Sequence, residues 1–282
     1  MIIFWQCQWI HWPSGCSGLC PCRSSGLRPD SLARESKAAY CRRKWVSNNH
    51  FILSAILTII LTNIVIPIIG EIDNPAGWVD IIRDLDAVIE CVGGVADMER
   101  FRTISEELFV AVSKAARELR PQGSPKLTYI YTSGTLVHGD NRNEIVTDTT
   151  PLRTMNQLVA WRPSREQEVI KDVNLNGIVI RPSVLYGRSG SHLAPFFQSA
   201  SEGNVWYPGQ PGGRLAVVHA DDLANLYVRV VEKAAICGGL IFDAANDHTE
   251  SVDDVLATLV KVSGAQKPYE YRKPSNGMFF HL

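Results

Sequence analysis

The residues best suited to chemistry fall in a few short stretches. Thr132-Ser133-Gly134 closes an apolar, β-branched and aromatic run, Leu127 to Tyr131, which reads as a short buried strand. Two hydroxyls at the carboxyl edge of a strand in an open parallel sheet stand where ligands collect, because strand ends and the following loops form a crevice there. The plainer reading is an ordinary Ser/Gly turn. Arg181-Pro182-Ser183-Val184 ends a second apolar run, Asn176 to Ile180. Proline has no N–H and a fixed φ, so a loop can turn over a planar ring there without stranding a donor, or the proline only ends the strand. His219, Asp221 and Asp222 lie where a third strand meets a helix start. They read as a metal or acid/base cluster, or as an N-cap by Asp221 or Asp222 for Leu223 to Val231 with His219 lining a cleft; the strand-to-helix spacing favours the cap. His138 and His192 are exposed-loop candidates for substrate contact, or ordinary surface histidines.

The elements that must position these groups alternate between strand and helix patterns, which predicts an α/β protein with a parallel sheet. Ile66 to Asp73 reads as a strand, with Asp73 a cap for a helix near Pro75. Trp78, Ile81, Ile82 and Leu85 have core spacing for an amphipathic helix. Asp86 to Gly94 is a strand ending in two glycines, and Cys91 within it is packed. Glu99 to Leu119 is a long helix with Phe101, Ile104, Leu108, Val112 and Ala115 or Ala116 on one face. Ile241 to Ala245 is a last strand, and Ser251 to Val262 a capped helix with acidic residues in its first turn.

Taken together, the stretches LTYIYTSG from Leu127, NGIVIRPSVLYG from Asn176 and GRLAVVHADDLA from Gly213 resemble the extended and atypical short-chain dehydrogenase/reductases, the NAD(P)-dependent epimerase/dehydratase group. The resemblance spans residues 65–265. It implies a Rossmann-like doubly wound parallel sheet, with an incomplete N-terminal βαβ unit and a small C-terminal substrate lobe. It divides the chain into irregular residues 1–50, a dinucleotide-binding domain of 51–182 and 214–245, and a substrate lobe of 183–213 and 246–282. It implies NAD or NADP as cofactor, with loss of that binding the alternative for a chain without the pyrophosphate turn, and a small carbonyl or hydroxyl substrate, with nucleotide sugars among the candidates. By the same resemblance Ser133 is the active-site hydroxyl beside Thr132, and Val92, Gly93 and Gly94 run along the cofactor. Asp73 approaches the adenine, Thr132 belongs to the cofactor site, and Pro182, Ser183 and Val184 flank the nicotinamide.

The group's mechanism uses a Tyr-x-x-x-Lys pair on the helix after the Ser strand, and here that spacing is kept by Trp161 and Arg165. An indole N–H only donates and does not titrate usefully, so Trp161 cannot be the general acid/base. Arg165 keeps a permanent charge and is a candidate for ribose hydroxyls or phosphate, or is a solvated helix residue. Pro163 predicts a helix start with the pair on its first turn. Tyr269 and Lys273 have the Tyr-x-x-x-Lys spacing, but after the substrate-lobe motifs, where it is coincidence. Two functions stay open: an epimerase/dehydratase-like oxidoreductase, and a non-catalytic dinucleotide-binding or regulatory protein on the same fold.

Composition narrows the partners. The 282 residues are 45% hydrophobic and 20% charged, which suits a globular protein with a sizeable core. A net charge of −1 gives no basic footprint for nucleic acid, so a small molecule is the expected partner. Cys7, Cys16, Cys20, Cys22 and Cys41 crowd the opening segment and leave only Cys91 and Cys237 for the body, which fits a reducing compartment and a cytoplasmic protein. No second ligand pair at zinc-finger spacing follows the cluster, and no metal is expected.

From Met1 to about Lys44 neither helical nor alternating periodicity appears, and no glycine-rich dinucleotide turn is present. Yet the codons of Gln8 to Ser31, shifted by one base and free only at synonymous positions, permit the string NGFIGLPVAQAFVRAGHPVYGLTR. That string holds a glycine turn, an amphipathic helix and a second strand, so residues 1–44 are expected to be an out-of-frame gene-model artefact. Phe51 to Ile69 approaches membrane-spanning length behind Arg42, Arg43 and Lys44. It reads as a signal anchor, a buried α/β core segment or translated intron, with membrane anchoring the alternative to a cytoplasmic location.

Overall fold

The structure is a computed structural model and describes residues 2–4, 43–47, 65–70, 74–93, 97–141, 144–152, 157–188, 191–265 and 267–272. The chain forms two compact units, Met1–Leu127 and Thr128–Leu282.

The first unit holds strands β1 (Ile2–Phe4), β2 (Arg43–Ser47), β3 (Val65–Ile69) and β4 (Ala87–Glu90), then helix α1 (Met98–Leu119). The strands are parallel in the order β3-β2-β1-β4. The chain thus steps outward from β1 to β3 and returns to the other side of β1, which makes the carboxyl ends of β1 and β4 a topological switch point. β1 lies in the stretch without periodicity and β2 begins at its end, and runs of three and five residues are too short to show a pattern. β3 covers the end of the apolar run of near membrane-spanning length; residues 51–64 of that run lie outside the described residues. Pro67 fits β3 because, among the described residues, this strand pairs on one side only. No helix of the described residues is long and apolar enough to cross a membrane.

The segment expected to form an amphipathic helix is instead two 3₁₀ turns, Pro75–Gly77 and Val79–Asp84. Pro75 and Gly77 are poor residues for an α-helix interior. Trp78, Ile82 and Leu85 are buried all the same, while Ile81 is only half-buried. α1 begins one residue earlier than its periodicity suggests. Asp97 caps it, accepting from the Glu99 and Arg100 N–H groups at 3.0 and 3.2 Å. Its buried face contains Phe101, Ile104, Leu108, Val112, Ala115 and Ala116, as the spacing predicts. Beneath it the Ser105 hydroxyl donates to the buried Glu90 carboxylate at 2.6 Å.

The second unit opens at Thr128 within β5 (Leu127–Thr132), followed by α2 (Arg162–Lys171) and β6 (Leu175–Pro182). Next come β7 (Val184–Tyr186), α3 (Ala194–Ser201), β8 (Trp206–Pro208), β9 (Arg214–His219), α4 (Ala220–Glu232) and the short α5 (Ala234–Cys237). β10 (Ile241–Ala244), β11 (Thr249–Ser251), α6 (Val252–Ser263) and β12 (Glu270–Arg272) complete it. β6 lies between β5 and β10 and is parallel to β10. β9 pairs in parallel with β7 and antiparallel with β11, and β8 pairs with β12. β6 passes very close to α2 at Gly177, where a Cβ would stand 2.0 Å from the Val169 carbonyl oxygen. A separate core joins Ala200, Val205, Tyr207, Leu215, Val217, Val252, Leu256 and Leu259. Ser251 caps α6 as expected, its hydroxyl accepting from the Asp254 N–H at 3.2 Å.

Candidate functional site

In the second unit the carboxyl ends of β5, β6 and β10 stand side by side. The Ser133 N–H donates to the Ile180 carbonyl of β6 at 2.8 Å, and the Ser183 N–H to the Ala244 carbonyl of β10 at 2.9 Å. Ser133 and Ser183 therefore sit at the ends of adjacent strands. Both are buried, at 7% and 4% exposure, and neither hydroxyl has a partner among the described residues. A buried hydroxyl left unpaired costs about 1–3 kcal/mol, so two at one edge favour a ligand or water that completes them. Pro182 pairs with Ala244 and Val184 opens β7 against Val217.

α2 starts as Pro163 predicts, with Trp161 at the N-cap position and Arg165 in the first turn. Arg165 is buried and its guanidinium pairs with Glu168 at 2.6 Å. The cation at the end of β5 is Arg162. Its NH1 donates to the Thr132 carbonyl at 3.1 Å, and its guanidinium lies 5.3 Å from the Trp161 ring centroid. The Tyr-x-x-x-Lys spacing points to Arg165 and passes over this neighbour. Thr132 is also held through its hydroxyl, 2.6 Å from the Tyr227 phenol of α4.

Beside this edge is a buried ionic cluster that no sequence spacing announced. Arg181 of β6 grips Glu166 of α2 through two hydrogen bonds, at 2.9 and 2.6 Å. Its NH1 lies 3.6 Å from Asp243 of β10. Burial works against the Arg181 charge, but the hydrogen bonds and attraction of Glu166, then of Asp243, outweigh it and hold the guanidinium above its ordinary value. His138 joins the cluster, with Nε2 2.8 Å from Asp243 Oδ2. It is therefore not an exposed-loop histidine: it ends the 3₁₀ turn Thr135–His138, and its side chain is only 5% exposed.

The N-cap of α4 is His219, not Asp221 or Asp222. α4 begins at Ala220, ahead of Leu223, so the residue in extended conformation before it is the histidine, whose Nδ1 accepts from the Asp221 N–H at 3.2 Å. Asp221 instead takes two hydrogen bonds from Arg188, at 3.0 and 2.8 Å, which lower its pKa. The His219 ring fits against Gly187, where φ is +77° and a Cβ would meet Nε2 at 2.2 Å. His192 accepts from the Leu185 N–H at 3.2 Å through Nδ1, and desolvation lowers its pKa. Among the described residues no group of three or more His, Cys, Asp or Glu could hold a metal ion. Tyr269 is occupied elsewhere: its phenol and that of Tyr271 both donate to Asp253, at 3.0 and 2.8 Å. Lys273 lies outside the described residues.

In the first unit Val92 and Gly93 follow the carboxyl end of β4, at the switch point. No described atom lies within 4 Å of where a Cβ on Gly93 would stand, so the backbone there is open to close approach. Asp73 and Gly94 lie outside the described residues.

No family model matches the sequence, and no curated protein matches it. Solved structures do match. A dTDP-glucose 4,6-dehydratase from Bacillus anthracis in complex with NAD is 17% identical, with a TM-score of 0.67 over 83% of this chain and 76% of that one. A UDP-glucuronic acid 4-epimerase from Bacillus cereus, in complex with UDP-glucuronic acid and NAD, is 16% identical, with a TM-score of 0.64 over 83% and 80%. RMD from Pseudomonas aeruginosa, complexed with NADPH, is 13% identical, with a TM-score of 0.60 over 83% and 90%. At these identities the likeness speaks for the fold, and the fold is Rossmann-like α/β.

Proposed function

We propose that the chain is an NAD(P)-binding oxidoreductase of the epimerase/dehydratase type, acting on a small carbonyl or hydroxyl compound of the nucleotide-sugar class. The observation that carries this is the β3-β2-β1-β4 order, with its switch point beside Val92 and an open Gly93. Supporting it, Ser133 and Ser183 leave two buried hydroxyls unpaired at neighbouring strand ends. In the first unit the open backbone at Gly93 suits a dinucleotide. By the resemblance Val92 and Gly93 are assigned to the dinucleotide, as are Asp73 and Gly94, which lie outside the described residues, and in the second unit Thr132, Pro182, Ser183 and Val184 are assigned to its nicotinamide. A bound nicotinamide would supply a hydride acceptor or donor.

In this reading the chain's own residues bind, orient and move protons. Ser133 holds a substrate hydroxyl or carbonyl by hydrogen bond. Arg162, fixed by the Thr132 carbonyl, adds positive charge at the same edge and favours a developing alkoxide. Trp161 supplies no titrating group, and this is the specific observation that favours a second reading, a dinucleotide-binding regulator without turnover. Residues 183–213 and 246–282 are assigned to the substrate lobe, with His192 and His219 toward substrate, and residues 51–182 and 214–245 to the cofactor domain. The expected setting is cytoplasmic.

The test is a fluorescence titration with NADH, followed by turnover assays with dTDP-glucose and UDP-glucuronic acid. Binding with turnover supports the enzyme and binding without turnover the regulator, while no binding either by this chain or by one whose residues 8–31 are replaced by the shifted-frame string refutes both.

A further inference from the structure

Oxidising a hydroxyl at the Ser133 edge needs a group that takes its proton, and Trp161 cannot be that group. Four other titratable side chains of the second unit are committed. Both Glu166 carboxylate oxygens accept from Arg181, the Tyr227 phenol is bound to Thr132, and the Nδ1 atoms of His192 and His219 each accept from a backbone N–H.

His138 differs. It closes the turn that follows Ser133-Gly134, and its Nδ1 is buried without a partner among the described residues, as is the Ser133 hydroxyl. Its Nε2 meets Asp243 Oδ2 at 2.8 Å, with Arg181 NH1 3.5 Å away. A guanidinium only donates and a carboxylate only accepts, so the hydrogen in the short contact belongs to Nε2. In the neutral ring Nδ1 then carries a bare lone pair. Arg181 joins this group to Glu166 at 2.6 Å through NH2 and to Asp243 at 3.6 Å through NH1.

We propose that His138 is the proton acceptor and donor of the site, and that Asp243 is the positioning residue that keeps Nδ1 free for this work. The proposal rests on the oxidoreductase reading above. In the oxidising direction the substrate O–H bond breaks and its proton goes to His138 Nδ1. The oxygen's electron pair forms the carbonyl π bond, and the carbinol hydrogen leaves with its pair to an oxidised nicotinamide dinucleotide. A bound oxidised nicotinamide would take up the two electrons that the substrate loses, and His138 holds the proton.

The experiment is long-range ¹H–¹⁵N NMR on the full chain carrying ¹⁵N-histidine, with His138 assigned from the signal lost in H138Q, or in H138N if that variant fails to fold. The expected result is a neutral ring protonated at Nε2, in preference to Nδ1 by about tenfold or more. D243N reduces that preference by about tenfold while the other histidine signals keep their positions. A ring protonated at Nδ1, or a tautomer indifferent to D243N, overturns the proposal. No cofactor or substrate enters this measurement, so failure of the NADH titration and failure of the tautomer result are distinguishable.

Discussion

At the scale of single residues, the buried Arg181–Glu166 pair shows what the sequence left hidden. The partners are fifteen positions apart, on different elements, and nothing local joins them. Removing one partner strands the other charge in the interior. Glu166→Leu is therefore expected to cost about 3–5 kcal/mol in urea unfolding, whereas a loss under about 1 kcal/mol would mean the pair is not buried in solution. His192 gives a pH prediction. Its folded pKa lies below the ordinary imidazole value of about 6.5, so its neutral form is the one the fold prefers. Above that pH both states are neutral and its contribution is complete. As pH falls through it, the unfolded chain takes the proton first and stability is lost. Wild type should lose more of its urea midpoint than His192→Gln between about pH 7 and about pH 5, which bracket the ordinary value; parallel curves would contradict the lowered pKa. The expectation of a cap at Asp221 fails for a plain reason: aspartate outranks histidine as a capping type, and only the place where α4 starts decides between them.

At the scale of elements, periodicity and caps were legible where the element is long. The face of α1 and the Ser251 cap of α6 follow from spacing alone. The 3₁₀ turns after Asn74 were not, because a burial pattern of Trp78, Ile82 and Leu85 satisfies a helix wheel while Pro75 and Gly77 govern the backbone. The α1 cap gives a measurable consequence: Asp97→Ala should cost about 1 kcal/mol by chemical denaturation, and no change would mean that water replaces the carboxylate fully. At Gly177 the contact is backbone against backbone. A Cβ 2.0 Å from the Val169 oxygen cannot be relieved by a rotamer change, so Gly177→Ala should destabilise by about 1–3 kcal/mol. An unaffected melting curve would show that α2 can move off β6.

At the scale of the whole molecule, the sheet motifs at Ser133, Pro182 and His219 made the α/β class readable, since each is a strand running into a turn of distinct chemistry. The opening strands were not readable. β1 offers three residues, and after it the chain lacks the glycine turn that would identify its role. The shifted-frame string of residues 8–31 would follow directly from the strand that lies between β2 and β4. A glycine turn supplied by that string would belong at the switch point, where backbone N–H groups at a helix start would meet a pyrophosphate.

The most direct measurement is an NADH titration of two full-length chains, the present one and one whose residues 8–31 are replaced by the shifted-frame string. The replaced chain is expected to bind more tightly by about tenfold or more, and Gly93→Leu within it to remove that gain while leaving its melting curve in place. Equal, tight binding by both chains, no binding by either, or indifference to Gly93→Leu would contradict a dinucleotide site at this switch point.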